Sequence, residues 1–103
     1  VLDDPAIEYV ALRPSQYCGS VYDVFPAKRG SLKPTGEWNS MEIMAEGTKL
    51  KVTLNSDVIT EGDIATLTDE ATLNKHPGLK RTAGHIGFLG HGTLVEFKNI
   101  RVK

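Results

Sequence analysis

Apolar and polar residues alternate along residues 41–54, and this pattern limits what the chain can fold into more than any other feature. The side chains of a β-strand point alternately to its two faces, so a period of two predicts strands with one apolar face. A glycine lies between the two alternating runs, which predicts a hairpin turning at Glu46-Gly47-Thr48. The apolar positions are Met41, Ile43 and Ala45 in the first run and Leu50, Val52 and Leu54 in the second.

A third strand is predicted directly after this hairpin. Asn55-Ser56-Asp57 is a turn sequence and residues 58–60 are rich in β-branched side chains. The three strands would form an antiparallel meander. A further strand is predicted over residues 17–25, followed by a loop over residues 26–36.

A short helix is predicted after the meander. Thr68-Asp69-Glu70 provides an N-cap signal, because a threonine side chain at that position can accept a hydrogen bond from an unpaired helical N–H. The helix would extend through Asn74 and end at His76-Pro77-Gly78, because proline and glycine stop helices.

The C-terminal region combines a glycine-rich run with a strong β pattern. Residues 84–92 contain four glycines and two histidines, and residues 95–102 follow with a strand-like sequence. We predict two strands joined by a tight turn that displays His91. The apolar positions change parity near Lys98-Asn99, which predicts a β-bulge that bends the last strand.

Composition excludes several classes of function. The formal net charge is −1 and the isoelectric point about 6.3, which argues against nucleic acid or an anionic membrane as a partner. No apolar run approaches the roughly 20 residues of a membrane span. Cys18 is the one cysteine, so an intrachain disulfide is impossible and a buried thiol is expected. The sequence begins at Val1 with no readable signal peptide, so composition does not assign a compartment.

The glycines and histidines of residues 84–92 allow few chemical roles. A strand, not a helix, is predicted after the glycines, so a dinucleotide-binding site is not expected. No Cys or His pair has zinc-finger spacing, and no metal ligand is assigned. An imidazole titrates near neutrality, which suits acid–base catalysis at His91. The alternative for His91 is a solvent-facing turn residue, and for His85 a structural role.

Three more residues are candidates for a carbohydrate site. The carboxylate of Asp3 could hydrogen-bond sugar hydroxyls or act as a base, and its alternative is a solvated acidic terminus. Tyr22 and Trp38 offer aromatic faces on which the apolar C–H face of a sugar ring can stack. The alternative for Trp38 is a place in the core.

An ordered set of motifs resembles the 3-keto-disaccharide hydrolase family. The set consists of Gly36-Glu37-Trp38-Asn39-Ser40-Met41-Glu42-Ile43, Leu50-Lys51-Val52-Thr53-Leu54-Asn55, His76-Pro77-Gly78-Leu79, Gly84-His85-Ile86-Gly87, His91-Gly92 and residues 95–102. The match spans essentially the whole chain. It implies an all-β, concanavalin A-like antiparallel β-sandwich (jelly roll) with a ligand site on its concave face.

The resemblance also implies an activity and its residues. It implies a carbohydrate ligand and hydrolysis of glycosides oxidised at the 3-position, in a periplasmic or extracellular location. Asp3 and His91 are then candidate catalytic residues, and Tyr22, Trp38 and His85 candidate substrate-binding residues. The resemblance identifies no cofactor.

Two departures from the family keep an alternative open. Many members have Gln and Asp where this chain has Leu89 and Gly90, and family domains are roughly twice as long. Residues 1–103 are therefore expected to be a single domain that resembles the C-terminal half of the family domain. A missing N-terminal portion or a homo-oligomer would complete its sheets. The alternative function is a non-catalytic carbohydrate-binding or assembly module on the same jelly-roll fold.

Overall fold

The computed structural model describes residues 11–103, in which the main element is a three-stranded antiparallel sheet. Its strands are β1 (Met41–Glu46), β2 (Lys49–Leu54) and β3 (Asp57–Asp63), in the order β1-β2-β3. Met41 pairs with Leu54 and Glu46 with Lys49, so the hairpin turns at Gly47 and Thr48. The meander predicted from alternation is confirmed, and β3 is longer than the predicted residues 58–60.

A two-residue turn joins β2 to β3. Asn55 and Ser56 both have positive φ, 49° and 74°, and Leu54 and Asp57 pair on either side of them. This combination is the type I′ geometry, whose twist matches that of the flanking strands. The Asn55 side chain also hydrogen-bonds to the loop that precedes β1.

A β-bulge bends β3. Val52 pairs with Thr60 but Thr53 pairs with Val58, so Ile59 is the additional residue. Ile59 and Thr60 are both buried. The core of the described residues lies beneath this bulge and consists of Ala27, Val52, Leu54 and Ile59, with Leu32 packed against it.

Residues 17–25 do not form the predicted strand. The Ser20 amide donates to the Tyr17 carbonyl and the Val24 amide to the Val21 carbonyl, which makes consecutive turns. Gly19 and Asp23 have positive φ, which interrupts extended backbone. Val21 and Phe25, on either side of the second turn, form an isolated β-bridge.

This turn segment covers part of the apolar face of the sheet. The Thr60 hydroxyl donates to the Gly19 carbonyl over 2.9 Å, and the Lys28 amide donates to the Ile59 carbonyl over 2.8 Å. Residues 17–25 therefore contact the sheet from turns, and their strand-like composition was wrongly interpreted as a strand.

The predicted short helix is confirmed, with a correction to its start. α1 spans Glu70–Lys75, and the side chain of Asp69, not Thr68, accepts the capping bond from the Ala71 amide. Three 3₁₀ turns complete the regular structure of the described residues: Pro14–Gln16, Ile64–Thr66 and Pro77–Lys80. Within residues 11–103 no helix combines the length and apolarity that a membrane span requires.

Residues 81–103 contain no strand, so the two strands predicted there are wrong for the structure described. The chain nevertheless turns near His91. Gly92 has a φ of 82°, and the ring centroids of Phe88 and Phe97, which lie on either side of it in the sequence, are 4.3 Å apart. Asn99 has a φ of 55°, which places a bend at the position predicted for the bulge. A strand also requires a hydrogen-bonded neighbour, and no neighbouring strand pairs with this segment among residues 11–103.

The all-β fold class is confirmed. The strands of the described residues form one sheet, and the helices are short. The sandwich that the resemblance implied is therefore incomplete within residues 11–103, as expected from the greater length of family domains.

Candidate functional site

A cleft of about 360 Å³ opens on the apolar face of the sheet. Its floor comes from β1 and β2, and the turn segment that covers β3 forms its wall. The cleft is lined by Cys18, Gly19, Ser20, Val21, Met41, Ile43, Leu50 and Val52. Met41 and Ile43 remain exposed because the turn segment covers β3 and leaves β1 open.

The chemistry of this cleft is mainly apolar. Its one hydroxyl, that of Ser20, already accepts a hydrogen bond from the Ala27 amide and donates one to the Pro14 carbonyl. The Cys18 thiol is buried. No carboxylate or imidazole of the described residues lines the cleft, so it offers contact to an apolar surface and no acid–base pair.

Trp38 forms a second feature, an aromatic surface immediately before β1. Its side chain is 47 % exposed, which places it outside the core. The next residue, Asn39, is fixed on two sides: its Oδ1 accepts from the Lys33 amide over 2.9 Å and from Asn55 Nδ2 over 2.8 Å. The Ser40 amide donates to Asn55 Oδ1 over 2.9 Å. These bonds hold the backbone that presents the indole ring.

Lys98 approaches this ring from the C-terminal segment. Its Nζ lies 4.1 Å from the centroid of the Trp38 ring, within the distance of a cation–π interaction. The contact joins residues 60 positions apart and connects the last part of the chain to the start of the sheet. The sequence did not reveal it, because neither residue type nor spacing signals such a pair.

The candidate histidines and Tyr22 lie on exposed backbone. His85 and His91 both belong to the exposed part of residues 81–103, and Tyr22 is 58 % exposed at the tip of a turn. None of the three lines the apolar cleft. Within residues 11–103, no hydrogen bond links the side chains of His91, His85, Tyr22 and Trp38 to one another. Asp3 lies outside the described residues.

The two carboxylates with shifted pKa values, those of Asp63 and Asp69, accept hydrogen bonds from backbone amides. A hydrogen bond from the Thr48 hydroxyl, followed by one from the Ala65 amide, lowers the pKa of Asp63. Bonds from the Thr72 hydroxyl and then the Ala71 amide lower the pKa of Asp69. These bonds stabilise the ionised carboxylates, so both act as caps and not as proton donors near neutrality.

A third carboxylate, that of Asp23, was also missed by sequence reasoning. Its Oδ2 lies 2.8 Å from a guanidinium nitrogen of Arg13, and its side chain is 13 % exposed. The positive φ of Asp23 and a bond from its amide to the Ser15 carbonyl hold this turn. Asp23 follows Tyr22 directly, so it places an anchored negative charge beside a candidate sugar-binding residue.

No group of three or more His, Cys, Asp or Glu side chains in residues 11–103 is arranged to hold a metal ion.

Comparisons with known proteins connect these features to a family. The family model described as "3-keto-alpha-glucoside-1,2-lyase-like domain" matches residues 2–103. A crystal structure from Parabacteroides distasonis, described as a "putative glycosyl hydrolase", is 32 % identical with a TM-score of 0.62. The match covers 66 % of this chain and 35 % of that one, so the chain spans about a third of that protein's length. No curated protein sequence matches the chain significantly.

Proposed function

The chain belongs to the family of 3-keto-alpha-glucoside-1,2-lyase-like domains, and on this basis we propose that it is a carbohydrate-active domain that cleaves 3-keto-glucosides. The observation that carries the proposal is the family match over residues 2–103. The similarity to a structure described as a glycosyl hydrolase supports it further.

The chemistry of a 3-keto-glucoside explains which groups such a domain needs. The ketone at C3 acidifies the hydrogen on C2, so a base can remove that proton and leave an enolate. The electrons of the enolate then expel the substituent at C1, whose oxygen takes a proton. Addition of water across C1 and C2 restores the 3-keto sugar and completes a net hydrolysis. The reaction requires a base, an acid and a group that stabilises the enolate.

His91 is the proposed proton-transfer residue. Its imidazole is exposed, and Gly90 and Gly92 on either side place no side chain against it. An imidazole can give and take a proton near neutral pH. We propose Asp3 as the second catalytic residue, and Tyr22, Trp38 and His85 as residues that bind the sugar.

A substitution of His91 tests the assignment. The chromogenic substrate would be a 3-keto-glucoside with a nitrophenolate leaving group, and the protein would carry His91→Ala. We expect turnover to fall at least about 100-fold, the lower range for loss of a general acid or base. Thr93→Ala, two residues away and also exposed, is the matched control and should retain turnover. Equal turnover by His91→Ala and wild type would refute the role of His91.

A second candidate function is carbohydrate binding without catalysis. It is favoured by Trp38, a half-exposed aromatic ring held by fixed backbone with no imidazole or carboxylate hydrogen-bonded beside it among residues 11–103. The two functions differ in their response to substrate. A binding module would show saturable binding of a glucoside with no release of the leaving group by the wild-type protein, whereas the proposed enzyme would release it.

A further inference from the structure

We propose that the Trp38 ring and the Lys98 ammonium form one ligand subsite that selects sugar rings carrying a negative charge, such as a hexuronate, over neutral sugar rings. The proposal rests on the carbohydrate-directed function proposed above and goes beyond its neutral 3-keto-glucoside, because it assigns a preference for a charged sugar ring to the Trp38 subsite. It concerns binding alone and requires no turnover.

Hydrogen bonds fix the backbone on both sides of Trp38. The backbone on the C-terminal side of Trp38 is held by the side-chain amides of Asn39 and Asn55, with bonds of 2.8–2.9 Å. On the other side, the Glu37 amide donates to the Pro34 carbonyl over 3.1 Å. Little conformational entropy is therefore lost from the loop when a ligand stacks on the ring, which is the advantage of a preorganised site.

The charge of Lys98 is available to a ligand. The ion pair of the described residues joins Arg13 to Asp23, so within that part of the chain no carboxylate neutralises the Lys98 ammonium. The ammonium lies over the face of the indole, 4.1 Å from the ring centroid. An exposed ammonium that has no carboxylate partner among residues 11–103 and lies at an aromatic surface attracts an anion that binds to the same surface.

Neutral and charged sugar rings should differ in their affinity for the Trp38–Lys98 pair. A neutral ring that stacks on the indole displaces the ammonium, and the lost cation–π interaction lowers affinity by about two- to fivefold at an exposed site. A hexuronate can stack while its carboxylate pairs with the displaced ammonium. Since an exposed ion pair is itself worth up to roughly fivefold, the wild-type subsite should favour the charged ring by about fivefold at low salt.

The chain contains one tryptophan, so its fluorescence reports on Trp38 directly. The full chain would be titrated with methyl β-glucuronide and with methyl β-glucoside at about 10 mM ionic strength, where screening is weak. Lys98→Met removes the charge and keeps an apolar stem, and Lys98→Arg keeps the charge. Lys80→Met, at an exposed lysine in the 3₁₀ turn Pro77–Lys80, is the matched control for net charge.

We expect wild type, Lys98→Arg and Lys80→Met to bind the glucuronide more tightly than the glucoside, and Lys98→Met to bind the two sugars alike. The preference should decrease at about 1 M salt because exposed charges are then screened. Equal affinities in wild type, a preference that survives in Lys98→Met, or no saturable change with either sugar would each overturn the proposal. These outcomes are independent of 3-keto-glucoside turnover, so the enzymatic assignment can fail without affecting them.

Discussion

The ring of Phe25 lies directly against Gly62 of β3: a Cβ atom built on Gly62 would come within 2.5 Å of Phe25 Cδ2. The absence of a side chain at this position of the strand therefore allows the turn segment to pack on the sheet. Phe25 also pairs with Val21, a residue of the cleft wall, in the isolated β-bridge. The packing that forms the wall of the apolar cleft thus depends on a glycine in the opposite element.

Gly62→Ala tests this packing. The added methyl group must displace the Phe25 ring, and we expect unfolding to become easier by about 1–3 kcal/mol, the usual cost of overpacking. Chemical denaturation measures the change. Gly78→Ala is the matched control, because no atom lies within 4 Å of its added methyl group. It should be neutral or slightly stabilising. Equal effects of the two substitutions would contradict the contact.

Ser56→Gly should stabilise the protein. Ser56 has a φ of 74° in the turn between β2 and β3, a left-handed conformation that costs a side-chain-bearing residue about 1–2 kcal/mol. Glycine avoids this cost but loses more entropy on folding, so the expected net gain is about 0.5–1 kcal/mol. Lys33→Gly, at an exposed loop position without a positive φ, should give no gain. A lower melting temperature for Ser56→Gly would show that the turn is not strained.

Acid should destabilise the protein through Asp63 and Asp69. Their pKa values lie below the usual value of 3.8 in the folded state because of the hydrogen bonds at the two caps. The stabilisation from each carboxylate is therefore complete above the unfolded-state pKa of about 4 and is lost as pH falls through the lowered folded-state value. The melting temperature should therefore decrease as the pH falls below about 4.

The variant Asp63→Asn/Asp69→Asn removes both titrations while asparagine can still cap. Its melting temperature should depend less on pH below about 4 than that of wild type. Glu42→Gln, which changes an exposed carboxylate on β1, controls for net charge and should keep the wild-type slope. If the double variant also kept that slope, the two carboxylates would not be the groups that respond to acid.

The elements that could be predicted from the sequence are those determined by neighbouring residues. The β1–β2 hairpin follows from alternation around Gly47, and the turn after β2 follows from the turn-forming residues Asn55-Ser56-Asp57. α1 follows from its cap and from the stop at His76-Pro77. The sequence placed the cap one residue early because Thr68 and Asp69 are both good capping residues.

The elements that could not be predicted depend on contacts between distant residues. Residues 17–25 have a strand-like composition, but the bond between Thr60 and the Gly19 carbonyl and the packing of Phe25 on Gly62 stabilise turns there. The β pattern of residues 95–102 needs a neighbouring strand, which residues 11–103 do not supply. Two of the predicted site residues, Tyr22 and Trp38, are exposed. The contact between Lys98 and the Trp38 ring was not predicted, because it joins distant residues.

The central claim, cleavage of a 3-keto-glucoside by elimination between C2 and C1, is tested most directly by replacing the hydrogen on C2 with deuterium. The measurement compares kcat/KM for the labelled and unlabelled substrates under conditions in which uncatalysed exchange at C2 is negligible. Because the proposed reaction breaks the C2–H bond, we predict slower turnover of the labelled substrate. Turnover at the same rate, with release of the leaving group and no loss of deuterium from C2, would contradict the elimination.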